Sequence, residues 1–291
     1  MTLTGSRAVV SRLISVLVNS LPAQISGVFL LICGASAAPV AAEESPPDTK
    51  FFSMPLELDF DSGADNGDAA FLKFAPLYST PLNDDWSLIN INLIMLIDAP
   101  GGVPGSAGNP EPSAGDSRAF GLGDVTHLSI FTPRSEGDFI YGMGFMLSLP
   151  TATDPILGSE KWTAGPAFRV TYRQGPWNVG VFGGNHWSYD GASDRGDISQ
   201  LMLRGTLRRS LANSWFLVSA PVITANWKAQ KSSDTWMLPL GGGIGKVINV
   251  DSARWALSLQ AYANVVKPDG APDWVIRFGL IVPVSRAAFG L

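Results

Sequence analysis

The chain contains 291 residues, of which 46% are hydrophobic and only 15% are charged, whereas charged residues make up about 25% of an average soluble protein. Nine Trp and fifteen Phe argue strongly against a disordered chain, and a single Cys excludes a disulfide framework or a Cys-rich zinc module. The acidic balance, with a formal net charge of −5, argues against a nucleic-acid partner. Two classes remain: an unusual soluble β protein, and a β protein whose outer surface faces lipid.

The N-terminal segment has the pattern of a secretory signal peptide. Basic residues without any acidic one accompany an apolar stretch over 13–31, and a run of small residues follows it. This pattern predicts a signal peptide over 1–42, cleaved after Ala37 or Ala42, ahead of one domain over 43–291. An N-terminal membrane anchor is the alternative interpretation.

Beyond this segment, the dominant pattern is a two-residue alternation of side-chain character. Between Trp255 and Val265 the odd-numbered positions are apolar, while most even-numbered positions, among them Gln260 and Tyr262, are polar. Such alternation is typical of strands with two different faces. It predicts about twelve strands, at 51–60, 69–79, 86–98, 121–132, 139–149, 162–174, 177–187, 197–209, 215–226, 235–248, 254–265 and 274–284.

Short and long connections alternate between these strands. Every second connection, beginning with 80–85 and ending with 249–253, has six residues or fewer, and those between them are longer, up to the segment 99–120. This alternation is typical of an up-and-down barrel in the outer membrane, with short periplasmic turns and long external loops. An even number of strands also leaves both ends of the barrel in the periplasm, as an exported chain requires.

All nine Trp residues lie near the ends of predicted strands. Trp favours the membrane interface, because its ring is apolar while its N–H needs a polar partner. We therefore predict an all-β protein, a transmembrane up-and-down antiparallel β-barrel of about twelve strands in the bacterial outer membrane. A soluble β-sandwich with Trp at the rims of its sheets is the alternative.

Polar side chains within the strands should face the lumen, since an Arg facing lipid at mid-membrane costs roughly 2–4 kcal/mol. They could form a constriction that contacts a permeating solute, or an internal network that fills a narrow barrel. The long segment 99–120, rich in Gly, Pro and Ser, is the best candidate for a loop that folds inward or gates the lumen. The predicted lumen and solute-binding residues are Lys73, Asn90, Asn92, Arg169, Arg204, Gln260, Tyr262, Asn264 and Arg277.

No catalytic set can be assembled from the sequence. His127 and Ser129 share one strand face, a geometry that a lipid hydrolase could use, but no third member is placed, and a His paired within the lumen is the preferred interpretation. Two dispersed His residues, with the single Cys33 inside the predicted signal peptide, indicate no metal site. We therefore expect no enzyme activity and no cofactor.

Several short motifs resemble one known family. Their order is Phe120-Gly-Leu-Gly-Asp124, 149–154, 157–162 with Gly165-Pro166, Gly175-Pro-Trp177, Asn185-His-Trp187 and 266–274. Together they resemble the outer-membrane β-barrel family labelled neuromedin-U-like or meta-pathway phenol degradation protein, over about 66–284. The resemblance implies an outer-membrane barrel with a transport role and no catalytic residues. Unlike many outer-membrane proteins, the chain ends in Phe-Gly-Leu291 and lacks a terminal aromatic residue.

The expected function is passive or facilitated passage of small molecules across the outer membrane. The family label implies that they are aromatic or otherwise hydrophobic. The alternative is a non-conducting barrel, either structural or a lipid-modifying hydrolase that uses His127 and Ser129. The expected partners are outer-membrane lipids and a small-molecule solute, and assembly of several copies of the chain is left open.

Overall fold

The structure, a computed structural model, describes residues 51–101, 118–134, 137–250 and 253–285. The predicted signal peptide and its cleavage sites lie outside the described residues. The strands are β1 Phe51–Ser62, β2 Ala69–Phe74, β3 Leu77–Pro81, β4 Trp86–Pro100, β5 Arg118–Leu122, β6 Val125–Pro133, β7 Phe139–Leu149, β8 Lys161–Gln174, β9 Trp177–Gly191, β10 Ser199–Ser210, β11 Trp215–Ser219, β12 Val222–Asn226, β13 Trp236–Val250, β14 Ala253–Val266 and β15 Trp274–Ser285.

These fifteen segments form twelve barrel strands, because three barrel strands consist of two segments each: β2 with β3, β5 with β6, and β11 with β12. Neighbours along the chain pair antiparallel, and β15 pairs with β1 over the full length of both, which closes the sheet. The predicted all-β, twelve-stranded up-and-down barrel is therefore confirmed. Closure leaves no free sheet edge, as a structure that crosses a bilayer requires.

The connections separate into two ends of the barrel. Five connections, including 82–85 and 175–176, are short and lie at one end, while six longer ones lie at the other. Gly175 has a φ of +54°, a conformation that glycine adopts readily and that the two-residue turn requires. Among the described residues, no helix is long and apolar enough to cross a membrane.

The outer face carries an apolar belt. Residues directly opposite each other in an antiparallel pair share a face, and the exposed side chains follow this rule. Phe145, Tyr141 and Met143 of β7 share one face, and Met143 is 74% exposed. Across the barrel, Leu240 of β13 is 70% exposed. Apolar side chains exposed in this alternating way form the surface that hydrocarbon covers.

Aromatic residues border this belt at both ends. Trp86, Trp177 and Trp215 begin strands at the short-turn end and are each about 40% exposed. At the long-loop end the exposed residues are Trp162, Trp187, Trp227 and Trp274. Exposed Trp residues therefore form a girdle at each end of the barrel, near the strand ends where the sequence places them. Trp255, by contrast, is buried.

Candidate functional site in the barrel lumen

The inward face of the barrel has one charged wall and one apolar wall. On the charged wall, β1 contributes Glu57 and Asp59, which lie opposite Gly279 and Arg277 of β15. Lys73 of β2 lies opposite Glu57 on the other side. Acidic and basic groups thus alternate across three neighbouring strands and point into the same interior.

Asp59 accepts hydrogen bonds from two cations. The Arg277 guanidinium donates to both of its carboxylate oxygens, each at 2.8 Å, and Lys73 Nζ donates to Oδ2 at 2.7 Å. The Asp59 side chain is 2% exposed and the Arg277 side chain 4% exposed. A buried charge is tolerated only when it is paired and hydrogen-bonded. The carboxylate of Asp59 therefore stabilises the charges of Arg277 and Lys73, and these two cations stabilise the carboxylate.

Arg277 also connects to a break in the wall three strands away. The barrel strand formed by β11 and β12 is interrupted at Ala220 and Pro221, and Pro has no N–H for the ladder. Arg277 Nη1 donates to the Ala220 carbonyl at 2.6 Å, and the Ala220 N–H donates to the Tyr262 hydroxyl at 2.7 Å. Tyr262 in turn donates to Gln260 Oε1 at 2.5 Å. Side chains therefore satisfy both backbone groups of Ala220.

One ion pair crosses the lumen. Arg204 of β10 donates from Nη1 to Glu57 Oε2 at 2.8 Å and from Nη2 to Oε1. In the closed ring β10 and β1 are five strands apart, nearly opposite each other. Their side chains therefore meet through the interior and narrow the lumen at this level. Both are partly exposed, at 26% and 13%, unlike the buried Asp59 and Arg277 pair.

The other wall is apolar. Ile89 and Ile91 of β4, Leu128 of β6, Met146 of β7 and Ala167 of β8 pack into one buried cluster. Partly buried side chains from β3, β9 and β10 pack against it: Leu77, Phe182 and Met202. The lumen therefore offers a hydrophobic surface on one side and charged groups on the other.

A loop folds into the long-loop end of the lumen. Leu157, in the connection between β7 and β8, is 1% exposed and packs against the inward-facing Phe71 and Ile97. Asp124, at the break between β5 and β6, accepts hydrogen bonds from the backbone N–H groups of Ala152 at 3.1 Å and Ser159 at 2.7 Å. The loop 150–160 is therefore fastened to the barrel wall.

A neighbouring loop also holds the loop 150–160 in place. Arg195, between β9 and β10, donates to the carbonyls of Gly158 at 2.7 Å and Pro155 at 3.0 Å, and forms an ion pair with Glu160 at 3.2 Å. The sequence favoured 99–120 as the loop that folds inward, but most of that segment lies outside the described residues. The inward loop that the structure does describe is 150–160.

Most of the predicted lumen residues lie on the inward face. The charged network contains Lys73, Arg204, Gln260, Tyr262 and Arg277, and the described contacts bring them together. Arg169 of β8 is also inward, with Nε 3.3 Å from Thr171 Oγ1. Asn264 lies at the long-loop end and donates to the Pro272 carbonyl at 2.8 Å, which anchors the loop 267–273. Whether any of them binds a solute stays a prediction.

The lumen assignment of Asn90 and Asn92 is wrong. In β4 the odd-numbered side chains pack inside, where Met95 lies opposite Lys73 and Ile91 belongs to the inner apolar cluster. Asn90 and Asn92 therefore face outward. Alternation alone could not decide this, because the inner wall at β4 is apolar and the polar side chains lie on the outer face.

The predicted position of His127 within the lumen is also wrong. Its ring contacts Asn92 and Ser129 on the outer face of β4 and β6, so it is not paired within the lumen. Sequence reasoning also missed Glu57 and Asp59, which lie in the first predicted strand. The signal was present in Leu56-Glu-Leu-Asp-Phe-Asp61, a regular alternation of apolar and acidic residues.

A closed twelve-stranded barrel with an apolar outer belt, aromatic girdles and a charged interior is a membrane-spanning β-barrel of the outer-membrane class. No protein-family model and no curated protein matches the chain. An outer membrane channel from Pseudomonas putida F1 aligns over 83% of this chain and 100% of its own, with a TM-score of 0.58 and 14% sequence identity.

Two further solved structures are more distant. Outer membrane phospholipase A from Escherichia coli aligns over 87% of this chain and 100% of its own, with a TM-score of 0.41 and 11% identity. The beta domain of the Bordetella autotransporter BrkA aligns over 81% and 99%, with a TM-score of 0.40 and 13% identity. Of these three structures, the Pseudomonas channel alone has a TM-score above 0.5, and at 14% identity it supports the fold alone.

Proposed function

We propose that the chain is a channel of the bacterial outer membrane that admits small molecules. The observation that carries the proposal is the cross-lumen ion pair of Arg204 with Glu57, set between a charged wall and an apolar wall. Charged side chains that line a constriction are one means by which membrane pores select solutes. Since both partners are partly exposed, unlike the buried Asp59 and Arg277, they are accessible to a passing solute.

The two walls favour an amphipathic solute. A flat aromatic ring would lie against the partly buried Leu77, Phe182 and Met202, while a hydroxyl or carboxylate on it would pair with Arg204. This chemistry agrees with the aromatic compounds that the family resemblance implies. A sugar of the same size would leave the apolar wall without a partner, and we expect it to pass more slowly.

Conductance and solute uptake in proteoliposomes test the proposal. The full chain should conduct ions in planar bilayers and let phenol or benzoate enter proteoliposomes faster than glucose. Arg204→Ala removes the crossing side chain and should raise conductance several-fold while lowering the preference for benzoate. Lys246→Ala, on the outer face beside Trp215, is the matched control and should change neither. A folded wild-type barrel without conductance or uptake would contradict the channel.

A further inference from the structure

Four polar side chains form a cluster on the lipid-facing side of β4 and β6. Ser129 lies opposite Asn90 on one neighbouring strand and opposite Phe145 on the other, and the exposed Phe145 marks this face as the outer one. His127 lies opposite Asn92. A polar cluster is costly at a surface that faces hydrocarbon, which makes it a candidate for function.

The contacts within the cluster form a chain of three groups. His127 Nδ1 is 2.8 Å from Asn92 Oδ1, and His127 Nε2 is 2.9 Å from Ser129 Oγ. An amide oxygen only accepts hydrogen bonds, so Asn92 Oδ1 requires the proton of His127 to lie on Nδ1. Nε2 then carries a lone pair that points at the serine hydroxyl. An orienting group, a base and a hydroxyl in this order are the arrangement of a serine nucleophile.

A fourth group completes the surroundings of the hydroxyl. Ser129 Oγ donates to Asn90 Oδ1 at 2.7 Å. The hydroxyl proton therefore has two possible acceptors, Asn90 Oδ1 and His127 Nε2. Transfer of this proton to His127 Nε2 turns Ser129 Oγ into a nucleophile. The Asn90 amide nitrogen is a donor next to the same oxygen, where it could stabilise an oxyanion. Ser129 itself is 4% exposed, so a substrate must displace the neighbouring ring of Phe145, whose centroid is 6.4 Å from that of His127.

The position of the cluster indicates the substrate. Ser129 lies four residues from Pro133 at the short-turn end of β6, about 13 Å along the strand at about 3.3 Å per residue. It therefore faces the acyl region of one leaflet, below the aromatic girdle. The ester bonds of a glycerophospholipid lie at the interfacial edge of that leaflet, so an ester must move toward the acyl chains to reach Ser129 Oγ. The lumen lies on the opposite side of the wall.

We propose that Ser129, His127 and Asn92 form an esterase site for the acyl esters of membrane glycerophospholipids. Ser129 Oγ attacks the ester carbonyl carbon while its proton moves to His127 Nε2. The carbon–oxygen bond to glycerol then breaks, and the same proton passes to the departing glycerol oxygen, which leaves a lysophospholipid and an acylated Ser129. Water attacks this ester with His127 again as base, and a free fatty acid departs as Ser129 regains its proton.

Ser129→Ala tests the nucleophile directly. The wild-type chain in vesicles of phosphatidylethanolamine and phosphatidylglycerol should release fatty acid and lysophospholipid in equal amounts, measured by mass spectrometry. Ser129→Ala should lower the rate by at least about 10³-fold, and His127→Ala by about 10²–10⁴-fold. Thr80→Ala, on the outer face of the adjacent β3, is the matched control and should leave the rate unchanged. Retention of the folded, heat-modifiable band on unheated gels confirms that each variant is assembled.

A covalent probe separates the reactivity of Ser129 from turnover. A fluorophosphonate should add to Ser129 in the wild-type chain, as found by peptide mass, and should not add in Ser129→Ala. Asn92 acts through His127 as a positioning residue, so Asn92→Ala should slow labelling and Asn92→Asp should restore it in part. A folded wild-type barrel that gives neither product nor adduct overturns the proposal, as does equal product from Ser129→Ala. Conductance is independent of both readouts.

Discussion

Asp59 is the residue on which the charged network depends most. It joins Arg277 and Lys73 at 2.7–2.8 Å, and it and Arg277 are almost fully buried. Asp59→Ala would remove the carboxylate that pairs with both cations and would leave Arg277 with the more distant Glu57, whose Oε2 is 3.7 Å from Arg277 Nε. Removing one partner of a buried ion pair typically costs about 3–5 kcal/mol. We expect this loss in the free energy of unfolding, measured by reversible urea unfolding in detergent micelles.

A double variant distinguishes lost pairing from lost packing. Asp59→Asn with Arg277→Gln removes the buried charges of both partners, and it should lose less stability than Asp59→Ala because no buried guanidinium is left without its carboxylate. Thr80→Ala, on the outer face away from this network, should stay within about 0.5 kcal/mol of the wild type. If Asp59→Ala were as stable as Thr80→Ala, the network would not contribute to stability.

At the residue scale, the sequence predicts the chemistry of the lumen better than its geometry. Arg204, Arg277 and Tyr262 are found inside because a polar side chain in a membrane strand has few other places. Their partners could not be found from spacing, because Arg204 meets Glu57 across the barrel, 147 positions away. Asn90 and Asn92 show the converse failure, because on β4 polar character does not mark the inner face.

At the scale of single elements, the loop 150–160 has fastenings that can be removed one at a time. Asp124→Ala would remove the acceptor of the Ala152 and Ser159 N–H groups, and Arg195→Ala the donor to Gly158 and Pro155. Each should free the loop from the lumen. We expect faster cleavage within 150–160 by added protease and a rise in single-channel conductance.

The control for these variants lies in another loop. Lys231 pairs with Asp269 at 3.2 Å between two long loops, and both side chains are exposed. Exposed pairs contribute little, so Lys231→Ala should alter neither cleavage within 150–160 nor conductance. If Asp124→Ala and Lys231→Ala behaved alike in both measurements, Asp124 would not be what holds the loop.

The sequence predicts the strands where polar and apolar residues alternate regularly, but it does not predict the breaks within three of them. All twelve predicted strands are found. The three breaks, at 75–76, 123–124 and 220–221, fall inside segments predicted as continuous. Pro at positions 76 and 221 marks two of them, but nothing local shows that the groups freed at Ala220 would meet Arg277 and Tyr262. These partners come from other strands and exist only once the barrel closes.

At the scale of the whole molecule, the two ends of the barrel make orientation testable. The short turns should lie in the periplasm and the long loops outside the cell, as in other outer-membrane barrels. The only Cys, Cys33, lies in the predicted signal peptide, so single cysteines can be introduced into the rest of the chain without interference. Asp269, 78% exposed in a long loop, and Asp84, exposed in the turn between β3 and β4, are suitable sites.

In intact cells, a membrane-impermeant reagent should therefore label a cysteine in a long loop and leave a cysteine in a short turn unlabelled. Asp269→Cys should react with a membrane-impermeant maleimide added to cells, while Asp84→Cys should react only after the outer membrane is permeabilised. Both should react equally in detergent, which controls for reactivity. The reverse pattern would place the long loops in the periplasm, and Ser129 would then face the external leaflet, where phospholipid esters would no longer be the natural substrate. The orientation therefore decides which side of the membrane the loop 150–160 faces and which leaflet Ser129 faces, because both positions are fixed along the barrel axis.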